Sequence, residues 1–482
     1  MGAGALVYLL AGVRFGVPNL YDEAYQALGA VRILEGYVPY RDFTYSYPPG
    51  EIVVLALAFR VFGEPSLLVS RVLGMATDAA VAACLYLLAR RLVPPRWALV
   101  PPLVFTLWRG GSMPPGMHQA GKSLALLLGL VALLFVLECS WQRRARRSGN
   151  VLAGVIAGVS AGGAIAIRLD TGAAMAVAIP AGAGLAALLD RSVPLRDRLR
   201  DVFGGILVPY AVGCALVIGL VGLLVGVVAG PESAVEDVFQ LHRLYVPYSY
   251  TPFPPAHDLT QFLTGKTSLV ALIGHAYYTS YIYVSICVLA LATVKVVPYA
   301  RSGGGDGAAG RRAAAAAISL TALGVALFPS AVWRADAAHF VPVMAVVCVL
   351  LAWLGYDGLR RLQARRGAKP GPVAGALTAL SVILVFFVAI GPQREKGRLL
   401  LGEIGFPPED MVAIRLPRAG GVYADRVYAQ SVQQTVEYVR QQTRPDERIF
   451  VANRQHRTVQ TNDVMFYFLS EHMPVTRYDV FF

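Results

Sequence analysis

Long apolar runs, separated by short loops that are either basic or rich in aromatic and acidic residues, make up most of the chain. The runs are continuous and do not alternate, so they read as helices and not as the period-two strands of a barrel. Crossing the hydrocarbon of a bilayer takes about 20 apolar residues. The pattern predicts spans at 2–15, 68–89, 97–109, 121–138, 151–167, 172–189, 203–229, 269–297, 313–332, 339–356 and 373–391, about eleven in all. The third is short, as in a tilted or re-entrant segment. The expected fold class is therefore an all-α polytopic membrane bundle over 1–391, in which helices satisfy their own backbone groups. From 392 to 482 the pattern is that of a small α/β unit. A strand is expected over 411–422 and a helix over 425–442, where Val427, Val432, Val436 and Val439 recur at roughly helical spacing. A second strand is expected over 447–453, and a helix over 462–470 capped by Asn462. The apolar end Tyr478-Asp479-Val480-Phe481-Phe482 has no helix stop, a pattern compatible with a truncated chain.

Composition sharpens this picture. Of 482 residues 56% are hydrophobic and only 15% charged, against about 25% charged in a soluble domain. The formal net charge of +13 would point to nucleic acid in a soluble protein. Here the basic residues lie in short loops, where topology explains them better, and no nucleic-acid partner is expected. With the N-terminus in the cytoplasm, the inner loops hold Arg90, Arg91 and Arg96; Arg143, Arg144, Arg146 and Arg147; Arg191, Arg196, Arg198 and Arg200; Arg301, Arg311 and Arg312; and Arg360, Arg361, Arg365, Arg366 and Lys369. Every predicted inner loop is basic, and an odd number of spans leaves the C-terminal unit outside a multi-pass cell-membrane protein. Met1 to Val13 has neither a basic start nor a small-residue cleavage site, so it reads as a first span and not as a removed signal. The five cysteines all lie in apolar runs with no CxxC pair, which indicates neither a disulfide framework nor a zinc knuckle.

The outer loops carry a different chemistry. The first, 16–67, holds Asp22, Glu23 and a Tyr- and Pro-rich stretch. The next holds Arg109 and His118, and the third is the turn Arg168-Leu169-Asp170. The fourth, 230–268, holds Glu236, Asp237, His242, Arg243, Tyr245, Tyr248 and Tyr250, and the fifth is Arg334-Ala335-Asp336-Ala337-Ala338-His339. Charges near membrane depth are costly and usually face a cavity or a partner. Their convergence on one side argues for an outward-facing polar site. A carboxylate at an apolar boundary can serve as a general base or ligate a hard cation. Interfacial ion pairs, helix caps and belt tyrosines account for the same residues taken singly.

One stretch is more informative than the rest. Tyr21-Asp22-Glu23-Ala24-Tyr25 is followed by Gly36-Tyr37-Val38-Pro39-Tyr40-Arg41-Asp42, Tyr45-Ser46-Tyr47-Pro48-Pro49-Gly50, Phe62-Gly63, Arg71 and Tyr86-Leu87-Leu88-Ala89-Arg90-Arg91-Leu92. This order resembles the GT-C membrane glycosyltransferases of the protein O-mannosyltransferase and aminoarabinose-transferase type. The likeness is strongest over the first ninety or so residues. The resemblance implies transfer of a sugar from a polyprenyl-phosphate donor to a glycan, lipid or protein acceptor at the outer membrane surface. It implies Asp22 as catalytic base, with Glu23 as its neighbour and the weaker candidate. Many such enzymes have Lys before the Pro-Pro pair, where it meets the carrier phosphate. This chain has Tyr47 there, so Arg41, Arg168 or Arg334 would supply the cation, which Arg suits through its bidentate fork. Tyr45, Tyr47, Asp170, Asp336 and His339 are candidate substrate contacts. A divalent metal held by Asp22 and His339 is compatible with the residue types but thinly supported, and no other cofactor is indicated.

A transporter or flippase of lipid-linked glycans is the alternative. It calls for ionisable residues at mid-membrane and broken helices, and the midspans are nearly free of charge apart from Asp78. A non-catalytic scaffold with an outer sensing unit would explain the tail but not the polar loops.

Overall fold

The computed structural model describes residues 2–16, 18, 22–112, 120–139, 147–190, 194–240, 253–269, 271–272, 275, 279–301, 307–364, 393–451 and 462–479. Among these, seven helices are long and apolar enough to cross a membrane. The protein is a multi-pass membrane protein of helical architecture.

The chain opens with α1 (Gly2–Leu10), α2 (Asp22–Leu34) and α3 (Gly50–Phe62), followed by the first long span, α4 (Leu67–Ala89). Ser66 starts α4 by accepting the Val69 N–H on its hydroxyl at 3.3 Å, an N-cap of the usual kind. Then come α5 (Val100–Ser112), α6 (Ala120–Cys139), α7 (Arg147–Ile167) and α8 (Leu169–Leu189). The first and third expected spans are thus a nine-residue and a 13-residue helix, shorter than the membrane-crossing length. Beyond them α9 (Leu195–Val202) runs through a π-helical turn at Phe203–Leu207 into α10 (Val208–Val228). The remaining long spans are α11 (Ser280–Arg301), α12 (Gly307–Trp333) and α13 (Ala337–Ala364). The expected span at 373–391, the tyrosines at 245, 248 and 250, and the arginine run at 143–146 lie outside the described residues.

The core sits around α13, whose residues from Phe340 to Leu354 are almost all buried. The α10 helix is the opposite case, with Leu216, Leu220, Leu223, Leu224 and Val227 exposed along it, as suits a helix facing lipid. It is held to α7 by glycines. A Cβ on Gly158 would lie 2.0 Å from the Tyr210 carbonyl oxygen, and one on Gly213 would lie 2.3 Å from that of Val155. In lipid, where apolar surface alone drives little association, such small-residue contacts supply the packing.

The tail holds a two-stranded antiparallel sheet, β1 (Met411–Ala413) with β2 (Tyr423–Asp425), and helices α14 (Gln393–Glu403), α15 (Arg426–Gln442) and α16 (Val464–Ser470). The strand expected over 411–422 is only three residues long. Asp463, not Asn462, caps α16 by accepting the Phe466 N–H. The tail shares one hydrophobic core with the first loop: Ala27, Leu28, Leu55 and Phe59 pack with Ile414, Val436, Phe466 and Phe468. Polar contacts reinforce this. Arg32 donates to both carboxylate oxygens of the buried Asp479, at 2.6 and 2.9 Å, and the Thr44 N–H bonds the Arg477 carbonyl at 2.9 Å.

Candidate active site

Five stretches of the sequence meet at one end of the bundle. Asp22 opens α2, Glu51 lies in the first turn of α3, Lys122 lies in the first turn of α6, and the α7–α8 and α12–α13 turns carry the remaining charges.

The Pro-Pro loop is placed by its glycine. A Cβ on Gly50 would sit 2.5 Å from the Ala166 carbonyl oxygen, so only glycine lets α3 begin against the end of α7. This contact carries Tyr47 to Arg168, whose guanidinium carbon lies 4.6 Å from the Tyr47 ring centroid. Tyr45 stacks on Tyr25 at 5.1 Å and meets Tyr47 edge-on at 6.0 Å. Its ring is fully buried, and its hydroxyl finds no hydrogen-bond partner among the described residues. Asp237, from the 230–268 loop, accepts the Tyr45 N–H at 3.1 Å. Burial pushes the Asp237 carboxyl up to about 6.

Glu51 is 2% exposed and accepts the Gly121 N–H on Oε1 at 2.7 Å. Its second oxygen, Oε2, is buried without a hydrogen-bond partner among the described residues. Burial drives the carboxyl up to about 7, partly opposed by Arg168 and the Gly121 N–H. Asp22 is half-buried and within electrostatic reach of Glu51, Lys122 and Arg168.

Arg168 pairs with Asp170 at 3.3 Å, and Arg334 with Asp336 at 3.2 Å. Asp336 also accepts the His339 backbone N–H and faces its Nδ1 at 2.8 Å. Burial would raise the Asp336 carboxyl, but His339 and Lys122 together outweigh it and hold the group at about 2. Lys122 stands among these groups, within electrostatic reach of Asp170, Asp336 and His339.

Of the residues singled out in the sequence, the fold therefore brings together Asp22, Tyr47, Arg168, Asp170, Arg334, Asp336 and His339. Glu23 is engaged elsewhere: its carboxylate holds Arg71 through Nε at 2.7 Å and Nη2 at 3.2 Å, with both side chains buried. The same arginine bonds the Val13 carbonyl, so the pair ties the first loop to α4. Arg41 is half-exposed and bound to the neighbouring Asp42 carboxylate at 2.9 Å. Glu51 and Lys122 were missed. Glu51 directly follows the Pro-Pro-Gly motif and could have been weighed with it, whereas Lys122 reads as a residue inside a span. No group of three or more His, Cys, Asp or Glu among the described residues is arranged to hold a metal ion.

No protein-family profile matches the chain, and no curated protein is significantly similar to it. Solved structures are. The apo oligosaccharyltransferase of Archaeoglobus fulgidus superposes with a TM-score of 0.52 at 14% identity, covering 98% of this chain and 64% of that one. The same protein in complex with Zn and sulfate gives 0.51 at 13% identity, covering 98% and 62%. ArnT from Cupriavidus metallidurans, bound to undecaprenyl phosphate, gives 0.49 at 15% identity, covering 98% and 84%. The chain thus spans less than two thirds of the length of the oligosaccharyltransferase it matches. At these identities the likeness is one of fold alone: the helical membrane bundle expected from the sequence is the fold this chain shares with the oligosaccharyltransferase.

Proposed function

We propose that the protein is a GT-C-type membrane glycosyltransferase that moves a sugar from a polyprenyl-phosphate donor to an acceptor hydroxyl or amine at the outer face of the cell membrane. The observation that carries this reading is the meeting of Asp22, Glu51, Lys122, Arg168, Asp170, Arg334 and Asp336 at one end of an apolar bundle. Carboxylates beside cations are what the chemistry requires. The bond between the anomeric carbon and the phosphate oxygen breaks, and its electron pair leaves on the phosphate. A bond to the acceptor forms on the opposite face of the sugar, inverting that centre. Asp22 takes the proton the acceptor gives up. The cations stabilise the negative charge on the departing carrier, with Arg168 and Arg334 as the candidates read from sequence.

The basic residues of the predicted inner loops support a cytoplasmic N-terminus and a tail on the outside. Transport is the weaker reading. Asp78, the charge that stands out within a span, is bonded to Arg109 at 2.9 Å, and such a satisfied pair leaves little for a moving substrate.

The test is transfer of labelled sugar from a panel of polyprenyl-phosphate sugars by purified protein in lipid nanodiscs, with wild type beside Asp22→Asn. Turnover or donor hydrolysis lost in the variant supports the reading. Silence across the panel, with no donor binding, would sink it.

A further inference from the structure

The first turn of α6 is fixed from two sides. Glu51 holds the Gly121 N–H at 2.7 Å, and the Ser123 hydroxyl donates to Asp78 at 2.5 Å. The absence of a side chain on Gly121 leaves room for this contact, since a Cβ would fall 2.1 Å from the Glu51 carboxyl and displace it. Between these two anchors stands Lys122, only 7% exposed.

The neighbouring guanidinium groups already have carboxylates. Arg109 pairs with Asp78 at 2.9 Å, Arg168 with Asp170 at 3.3 Å and Arg334 with Asp336 at 3.2 Å. Among the described residues Lys122 forms no such ion pair, although it is buried. A largely buried ammonium with carboxylates near it but no direct ion pair is costly, and an anionic ligand in contact with it would lower that cost. The place before the Pro-Pro pair cannot supply a cation, because Tyr47 fills it and its ring lies against Arg168.

We infer that Lys122 is the side chain that receives the anionic headgroup of the carrier lipid, a phosphate ester. This rests on the glycosyl-transfer reading above. A compact ammonium with three rotatable donors can follow the phosphate from donor to product, whereas Arg168 and Arg334 each already stand within ion-pair distance of a carboxylate. The bonds of Gly121 and Ser123 hold α6 so that no helix movement is needed to present it.

The test is binding of undecaprenyl phosphate and of uncharged undecaprenol to the full chain in nanodiscs. Wild type is expected to prefer the phosphate at least about tenfold, the worth of one charge-assisted contact. Lys122→Met should lose most of that preference, and Lys122→Arg should keep part of it. Equal preference in wild type and Lys122→Met overturns the assignment of Lys122 and leaves the transferase reading standing. Wild type that does not prefer the phosphate overturns both. Should Lys122→Met fail to insert, reductive methylation of wild type decides, read at Lys122 by peptide mass spectrometry. Undecaprenyl phosphate should protect the amine and undecaprenol should not, and equal labelling with either lipid overturns the inference.

Discussion

The carboxylate of Glu51 accepts the Gly121 N–H at 2.7 Å while its other oxygen stays buried and without a hydrogen-bond partner among the described residues. One side chain of the first loop thus anchors the start of a membrane span. It does so from a site where burial holds its carboxyl up at about 7, against an ordinary value of 4.5.

That shift has a sign. Between pH 4.5 and about 7 the folded protein holds a proton on Glu51 that the unfolded chain has lost. Stability from this group is therefore present at the acid end of that window and declines as pH rises through it. Thermal unfolding in nanodiscs from pH 5 to 8 should show wild type losing more stability than Glu51→Gln. Parallel curves would mean that Glu51 is not the titrating group.

Adjacent acids should behave differently. Asp22→Asn should leave insertion and melting temperature near wild type while transfer falls by about 10²–10⁴-fold, the usual contribution of a general base. Glu23→Gln should instead destabilise, because it leaves the buried Arg71 uncompensated. Breaking such a pair costs about 3–5 kcal/mol. Paired melting and activity measurements separate the two residues. An inactive but fully stable Glu23→Gln would return Glu23 to the chemistry.

The tail is bolted to the first loop. Asp479→Ala leaves Arg32 buried without its bidentate partner, again at about 3–5 kcal/mol. Limited proteolysis should then cut the tail faster than in wild type while the spans stay intact. An unchanged cutting rate would show that the shared apolar core alone holds the tail.

Close helix packing gives another test. Gly158→Leu places a side chain where the Tyr210 carbonyl oxygen lies 2.0 Å from even a Cβ. The α7–α10 contact must open, so yield and melting temperature should fall. Gly222→Leu, which meets nothing within 4 Å, should be tolerated. Equal effects would argue against the packing.

By itself the sequence determined the membrane class, the basic loops and most long spans. These follow from local composition, since a bilayer selects apolar length and satisfied backbone without regard to partners. It also marked Asp22, the Pro-Pro loop and the charged turns at 168–170 and 334–339, because polar groups at span ends stand out against apolar runs. Only the tertiary structure separated Asp22 from Glu23, since nothing local reveals that Arg71 reaches one of two adjacent acids. It also joined the tail's core to α2 and α3, and it drew Glu51 and Lys122 into the site. Both sit on helices whose pattern reads as packing surface. The approach of Gly50 to α7 and of Gly121 to Glu51 is a contact between segments distant in the chain, and it is decided by how the helices pack.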